Sequence, residues 1–319
     1  MKSGHQRRGA TWDGVAGWDE ATEEEARTLV EAALSEDVGP GDWTTLWTVD
    51  PDLETEASVL VKEPIVLAGV ALARMAFRGV GPRLHVEGLA PDGAWVPAGG
   101  SVLRVRGSAR SILTAERIAL NFLSRLSGVA TLTRRFVDAV GGTGADITDT
   151  RKTTPGWRHL EKWAVRLGGG VNHRMGLHDM TLVKDNHVAL AGGVGEATRR
   201  VLERNTKGLP VEVEVMTLDE LDELRDLRVD RILLDNMELG AIAEAVRAVE
   251  TWPLPRPTLE ASGNMTLERV RSVAGAGIRW ISVGALTHSA PAVDLSLRAR
   301  TPSGLDLELP GGVPRGELG

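Results

Sequence analysis

The 319-residue chain has no cysteine. Disulfides, thiolate metal sites and cysteine nucleophiles are thereby excluded, and a reducing, cytoplasmic location is expected. Long apolar runs are missing as well. The longest, Ile65 to Ala73, falls well short of the roughly 20 residues that cross a bilayer, so no membrane span is expected. The first eighteen residues carry His5, Arg7 and Arg8 but no apolar stretch of signal length, and read as a loose tail. Positive charge is in deficit: 37 Lys and Arg face 44 Asp and Glu, a net charge of −7, which argues against a broad surface for nucleic acid. Tyrosine is absent beside nine tryptophans, and no physical reason for this bias is evident. What remains is a composition with 42% hydrophobic and 25% charged residues, that of a soluble globular protein. The length suits a barrel-sized domain with a smaller companion.

Thr22 followed by Glu25 has the spacing of a capping box, and Ala26, Leu29, Val30, Ala33 and Leu34 recur behind it at helical intervals, predicting a helix over 22–35. Gly39-Pro-Gly-Asp42 ends it. β-prone stretches at 57–62, 84–88 and 101–106 then suggest a small α+β domain. Ile112, Ala115, Ala119, Leu123 and Leu126 predict a helix over 108–126, and a second helix is expected over 130–140. Beyond it, short β-branched runs alternate with amphipathic stretches, the pattern of parallel βαβ units. The strands read at 145–150, 181–184, 211–215, 231–235, 258–261 and 280–283. None is followed by a G-x-G-x-x-G fingerprint, so an α/β barrel is preferred to a doubly wound sheet. The Pro- and Gly-rich stretch beyond Thr301 reads as a loop or frayed end. The division expected is a tail (1–18), an N-terminal domain (19–126), a barrel domain (127–290) and a C-terminal segment with tail (291–319).

Polar residues cluster at the carboxyl ends of these strands: Arg151 and Lys152, Lys184 to Asn186, Glu214, Asp235 and Asn236, Ser262 and Gly263, and Gly284. In α/β barrels that rim carries the active site. An isolated polar residue there is a helix cap or a rim ion pair, but recurrence on successive strands points to a site. Between Arg151 and His187 stand seven Lys or Arg, three Asp or Glu and four of the seven histidines. A cationic segment at a barrel mouth suits a small polyanion. A solvated basic helix accounts for Arg158 and Lys162, but not for Arg151, Lys152 and Lys184, which terminate apolar strands.

The segments Glu260–Asn264 and Ser282–Leu286 each end a strand with small residues, as phosphate-binding loops after late barrel strands do. Gly168-Gly-Gly170 is either a further anion cradle or a plain turn. Glu214 and Asp235 place negative charge inside the cationic mouth, where carboxylates hold Mg²⁺ through its waters, grip ribose hydroxyls, stabilise a developing cation or simply balance the arginines. His173, His178 and His187 lack the compact spacing of a zinc site.

At these same residues the sequence resembles the quinolinate phosphoribosyltransferases. The motifs carrying the resemblance are Asp149-Thr-Arg-Lys-Thr-Thr-Pro-Gly156, Gly168-Gly-Gly-Val-Asn-His-Arg-Met-Gly176, Lys184-Asp-Asn-His187, Glu212-Val-Glu214, Leu233-Leu-Asp-Asn-Met237 and Ser282-Val-Gly-Ala-Leu-Thr-His288, with Glu36 to Asp42 and Thr114-Ala-Glu-Arg117 nearer the front. Leu167, Met216 and Trp163 depart from common family choices and are not chemical residues. The resemblance implies an incomplete α/β (TIM-like) barrel with a smaller N-terminal α+β sandwich domain, assembled as a homodimer or larger homo-oligomer. It implies transfer of phosphoribose from phosphoribosyl pyrophosphate to quinolinate, with decarboxylation, giving nicotinate mononucleotide, pyrophosphate and CO2 with the aid of Mg²⁺. Arg151, His173, Arg174 and Lys184 then surround quinolinate, and Arg117 reaches a neighbouring subunit's site. Lys152, Glu214 and Asp235 contact the phosphoribosyl donor or its metal, and Ser262, Gly263 and Gly284 form the 5′-phosphate loops. A Schiff-base aldolase using Lys184 or Lys152 would explain the phosphate loops but not the surplus arginines, and a non-catalytic anion-binding scaffold is the remaining class.

Overall fold

A computed structural model describes residues 18–300. The described residues divide into two compact units, each discontinuous in sequence: 26–124 with 293–300, and 18–25 with 125–292.

The smaller unit opens within α1 (Glu20–Val38) and continues through α2 (Trp43–Thr48), β1 (Glu54–Val61), β2 (Ile65–Val66), α3 (Val70–Val80), β3 (His85–Gly88), β4 (Trp95–Val96) and β5 (Ser101–Ser108) into the first half of α4 (Ala109–Ala139). In β1 the buried Ala57, Val59 and Val61 alternate with more exposed neighbours, the two-residue period of a half-buried strand. β1 is central in an antiparallel sheet ordered β12-β1-β5-β3, in which β12 (Leu295–Ala299) pairs Leu297 with Val59. The segment 291–300 therefore contributes an edge strand. Its partner lies more than two hundred residues upstream, a non-local pairing that local patterning does not reveal. The expected tail beyond Thr301 lies outside the described residues, as does the N-terminal tail apart from Trp18. That residue is buried, its ring 4.9 Å from that of Trp163 in an edge-on contact.

Two helix expectations change. Thr22 is not a cap: Asp19, just before α1, accepts hydrogen bonds from the Thr22 amide (2.9 Å) and hydroxyl (2.6 Å). Glu25 instead accepts the amides of His159 (3.3 Å) and Leu160 (3.0 Å) at the start of another helix. The two helices expected over 108–126 and 130–140 are one, the 31-residue α4. Gly128 does not break it. A Cβ there would lie 2.1 Å from the Pro291 carbonyl oxygen, so the glycine serves close packing.

The larger unit continues from α4 through β6 (Asp146–Thr148), α5 (Arg158–Leu167), β7 (Thr181–Val183), α6 (Asp185–Ala191), α7 (Val194–Arg204), β8 (Val211–Val215), α8 (Leu218–Asp222), β9 (Arg231–Asp235), α9 (Leu239–Glu250), β10 (Thr258–Ser262), α10 (Leu267–Gly275), β11 (Trp280–Ser282) and α11 (Ala285–His288). All six expected strands are present and pair in one parallel sheet of order β6-β11-β10-β9-β8-β7. β6 and β7 are its edges and do not pair with each other, so the barrel is incomplete. No helix among the described residues is long and apolar enough to cross a membrane.

Candidate active site

Side chains alternate along a strand, and this period decides what faces the sheet's concave side. In β8, Val211, Val213 and Val215 are fully buried, while Glu212 and Glu214 share the other face. In the same way Arg231, Leu233 and Asp235 share a face of β9, and Glu260 and Ser262 a face of β10. A cavity of about 740 Å³ opens over the strand ends, and its lining follows that rule: Leu182 and Lys184, Glu214, Leu233 and Asp235, Glu260 and Ser262, Ser282 and Gly284, and Thr150 and Lys152. Arg151, His173, Arg174 and Asp185 add to the wall, and Gly263 stands beside Ser262 at its edge. Of the sequence-predicted site residues, all but Arg117 line this cavity. Arg117 is exposed on α4 in the smaller unit.

One side of the cavity is cationic. Burial, together with the neighbouring Arg151 guanidinium, presses the Arg174 pKa below its usual value. Two guanidiniums held close call for an anion between or beside them. Arg151 Nε is buried with no hydrogen-bond partner among the described residues, while Arg174 is steadied by donating Nη1 to the Met180 carbonyl at 3.1 Å. The other side is acidic. Burial raises the Glu214 pKa, and the nearby Asp235 and Asp185 raise it further, against the opposing effect of Lys184. Lys184 Nζ lies 3.7 Å from Glu214 and joins the two halves.

The Lys152 loop is held from behind. Arg125 donates to buried Glu161 (2.9 Å), to the Ala290 carbonyl (2.7 Å) and to the Thr287 carbonyl, and Thr287 donates its hydroxyl to the Lys152 carbonyl at 2.8 Å. Glu161 accepts both the amide (3.0 Å) and the hydroxyl (2.9 Å) of Thr154. Lys162, expected on a solvated helix face, is instead 1% exposed and donates to fully buried Asp149 and to the His173 carbonyl at 2.9 Å. Asp149 also accepts Asn172 Nδ2 (2.6 Å) and the His173 amide (2.9 Å). Burial lowers the Lys162 pKa and raises that of Asp149, and this set of charge-assisted hydrogen bonds offsets the cost. Arg158 is half-buried and also tied to loops, donating to the Thr153 hydroxyl and the Met175 carbonyl, both at 3.1 Å. Both changes share a cause: α5 is short, and its polar face packs on the loops that follow β6.

A charged layer runs from the cavity floor, where His173 and Glu260 stand, down to Arg231. His173 Nε2 is 3.0 Å from Glu212 and 3.5 Å from Glu260, and Arg231 Nη1 donates to Glu260 at 2.6 Å. Burial opposes protonation of His173, but the two glutamates outweigh it and raise the pKa to about 9. Burial and the charge of Glu260 raise the Glu212 pKa as well. The Arg174 amide donates to His173 Nδ1 at 2.8 Å, which leaves Nε2 to face the two glutamates.

The last rim is the glycine loop. Asn236 and Asn264 both have left-handed backbones (φ 53° and 48°), beside Gly263 at φ +87°. The two asparagines hold a conformation that non-glycine residues seldom adopt, and with Gly263 they form a tight loop of the kind that cradles ligands. Gly168-Gly-Gly170 plays no such part: a Cβ at Gly168 would lie 2.5 Å from the Ala130 carbonyl oxygen, and one at Gly170 would lie 2.8 Å from Thr133, so these glycines let the loop pack against α4.

Comparison with known proteins shows what this arrangement belongs to. Residues 129–298 match the quinolinate phosphoribosyl transferase C-terminal domain, and residues 42–127 match the N-terminal domain of the same family. The chain belongs to the quinolinate phosphoribosyltransferase family. It is 44% identical to quinolinate phosphoribosyltransferase (decarboxylating) 2b, mitochondrial, of Nicotiana tabacum, an alignment covering 88% of this chain and 84% of that one. It is also 44% identical to nicotinate-nucleotide pyrophosphorylase (carboxylating) of Mycobacterium leprae, over 85% of this chain and 96% of the relative. Among solved structures, the nicotinate-nucleotide pyrophosphorylase of Francisella tularensis superposes with a TM-score of 0.82 at 37% identity, covering 87% of this chain and 96% of its own.

Around this candidate site, sequence reasoning quoted Asp149, Glu212, Glu260 and Lys162 without giving them these buried contacts, and it gave Arg231 no part in the site. Glu212 and Glu260 had a usable signal, since each stands two residues before a rim residue on a strand otherwise apolar. Lys162 had none.

Proposed function

We propose that the cavity binds quinolinate against its cationic wall and phosphoribosyl pyrophosphate across its acidic wall and glycine loop. The products are nicotinate mononucleotide, pyrophosphate and CO2, a step of NAD biosynthesis. The observation that carries the reading is the juxtaposition, in one cavity, of Arg151, Arg174 and Lys184 with Glu214 and Asp235. A pyridine dicarboxylate fits the first group, and a ribose whose anomeric carbon becomes positive fits the second.

Arg151, Arg174 and Lys184 hold the two carboxylates and aim the ring nitrogen at the anomeric carbon. A bond forms from that nitrogen as the bond to pyrophosphate breaks. Glu214 and Asp235 offset the cation developing on the sugar, and Lys152 offsets the charge growing on the leaving group. The ring nitrogen is then cationic. Its positive charge stabilises the carbanion left at the adjacent carbon when the 2-carboxylate departs as CO2, and a proton added to that carbon completes the product. The oxygen donors of Glu214 and Asp235 suit a hard cation, and the mutual repulsion that raises Glu214 is what such a cation relieves. These two carboxylates would hold Mg²⁺, which would supply charge neutralisation for pyrophosphate. Ser262, Gly263 and Gly284 offer backbone and hydroxyl donors to the 5′-phosphate. Arg117, exposed and outside the cavity lining, is assigned to the site of a second subunit in a homodimer or larger assembly.

The test mixes protein, Mg²⁺ and phosphoribosyl pyrophosphate with quinolinate or nicotinate, and measures pyrophosphate and CO2 release. Quinolinate is expected to react and nicotinate not, because the monoacid leaves one of the half-buried guanidiniums unmatched. Comparable turnover of nicotinate would overturn the dicarboxylate assignment.

A further inference from the structure

Arg231 stands at the first position of β9, at the opposite end of that strand from Asp235, and does not line the cavity. Its guanidinium nevertheless bonds Glu260, which is fully buried, at 2.6 Å. Glu260 in turn lies 3.5 Å from His173 Nε2. From the other side Arg231 lies over the Trp280 ring, 4.7 Å from its centroid. Arg279 lies against the same ring at 5.0 Å and is tied to Asp146 at 2.5 Å and to the Gly144 carbonyl at 2.6 Å. Each member of this column is restrained on two sides. A stacked, bidentate-capable guanidinium is the side chain that gives up least freedom in such a place.

His173 has its main chain fixed by Asp149 and Lys162 and its Nδ1 by the Arg174 amide. The remaining freedom is the tilt of the ring, which the carboxylates at Nε2 govern. The same Arg174 amide precedes the guanidinium that faces the cavity. We propose that Arg231 is a positioning residue for the dicarboxylate substrate. Acting through Glu260, it sets the His173 ring, and with it the His173–Arg174 wall, from the far end of the barrel. The proposal rests on the reading of that wall as the quinolinate subsite.

Misplacement by a fraction of an ångström from a remote change costs large factors in an oriented site. Arg231→Met, which keeps the apolar stem over Trp280, is expected to raise the KM for quinolinate by about tenfold or more, with the KM for phosphoribosyl pyrophosphate within about twofold of wild type. Arg231→Lys restores the cation and recovers most of the loss. In Arg231→Met/Glu260→Gln the two changes do not multiply, since they break one chain of contacts. A merely structural role lowers the active fraction, and thus kcat, without this split. Unchanged KM values, equal rises for both substrates, or multiplying effects overturn the proposal. Should Arg231→Met not fold, the double variant, which removes both buried charges, carries the same expectation, and a wild-type quinolinate KM there overturns it. A second readout needs no turnover: the ring ¹⁵N signals of His173, assigned with His173→Gln, must move in Arg231→Met, and signals that stay in place overturn the relay. Wild-type protein inert toward quinolinate would sink the substrate reading alone, leaving the relay to be judged by those signals.

Discussion

Replacing Gly263 by alanine separates two costs that the loop combines. The first is backbone: at φ +87° a side chain costs about 1–2 kcal/mol. The second is space, because the new Cβ would lie 2.1 Å from Asn236 Oδ1, 2.5 Å from its Cγ and 2.9 Å from its backbone nitrogen. The amide group can swing away, but the nitrogen cannot, since it donates to the Ser262 carbonyl at 3.1 Å. Overpacking of this kind costs about 1–3 kcal/mol more. Gly142→Ala is the control, with φ +80° and open space around the added Cβ, so it bears the backbone cost alone. Thermal melts are expected to show a fall of roughly 5–15 °C for Gly263→Ala against roughly 2–6 °C for Gly142→Ala. Steady-state assays should show the KM for phosphoribosyl pyrophosphate up about tenfold or more in the first and unchanged in the second. Equal melting shifts with a normal donor KM in both variants would refute the view that Gly263 is chosen for close approach at a ligand loop.

Lys152→Ala and Glu214→Ala should stay folded by circular dichroism while losing on the order of 100-fold in turnover; near-normal turnover removes that residue from the chemistry. Asp92, which accepts the Val70 amide at 3.1 Å, is raised by burial from 3.8 to about 6. Its folded form thus binds the proton more tightly, and Asp92's own contribution to stability falls by about 3 kcal/mol as pH rises from 3.8 to about 6. Asp92→Asn should flatten that slope in urea titrations, and an unchanged slope rejects the assignment. Refolding an equal mixture of inactive Arg117→Ala and Lys184→Ala chains should return roughly a quarter of wild-type activity if Arg117 serves a partner's site. No recovery, with mixed dimers confirmed by mass, rejects it.

The barrel strands were legible because each is a short β-branched run ending in a polar residue, and β8 and β9 coincide with the expected spans residue for residue. The rim was legible for the same reason: an apolar strand that stops at Lys184 or Asp235 advertises the place where solvent begins. One layer deeper the signal failed. Arg231 opens a strand, and in sequence it is indistinguishable from an arginine that starts a surface-exposed edge; only the fold brings it under Glu260. Lys162 was misread because polarity in a helix normally means water, whereas here it means Asp149. Thr22 and Glu25 satisfied a local rule whose partners turned out to be tertiary, with Glu25 spent on the start of α5.

The charge of the cavity leads to one more expectation. Its lining carries four cations, Arg151, Lys152, Arg174 and Lys184, against Asp185, Glu214 and Asp235, with Glu260 already matched by Arg231 from below. Four less three leaves a surplus of one positive charge. Quinolinate brings two carboxylates, the donor's 5′-phosphate about −1.5 to −2, and its pyrophosphate more again. A surplus of one cannot balance that load, and three of the four cations stand with the quinolinate wall. The donor is therefore expected to bring its own countercharge, and the Glu214–Asp235 side, where carboxylates crowd one another, is the place that would favour it. Stripping divalent metal with a chelator should abolish pyrophosphate release while calorimetric binding of quinolinate survives, and added Mg²⁺ should restore turnover. Full turnover in chelator would refute the argument, since Lys152 and the loop donors alone would then suffice for the leaving group.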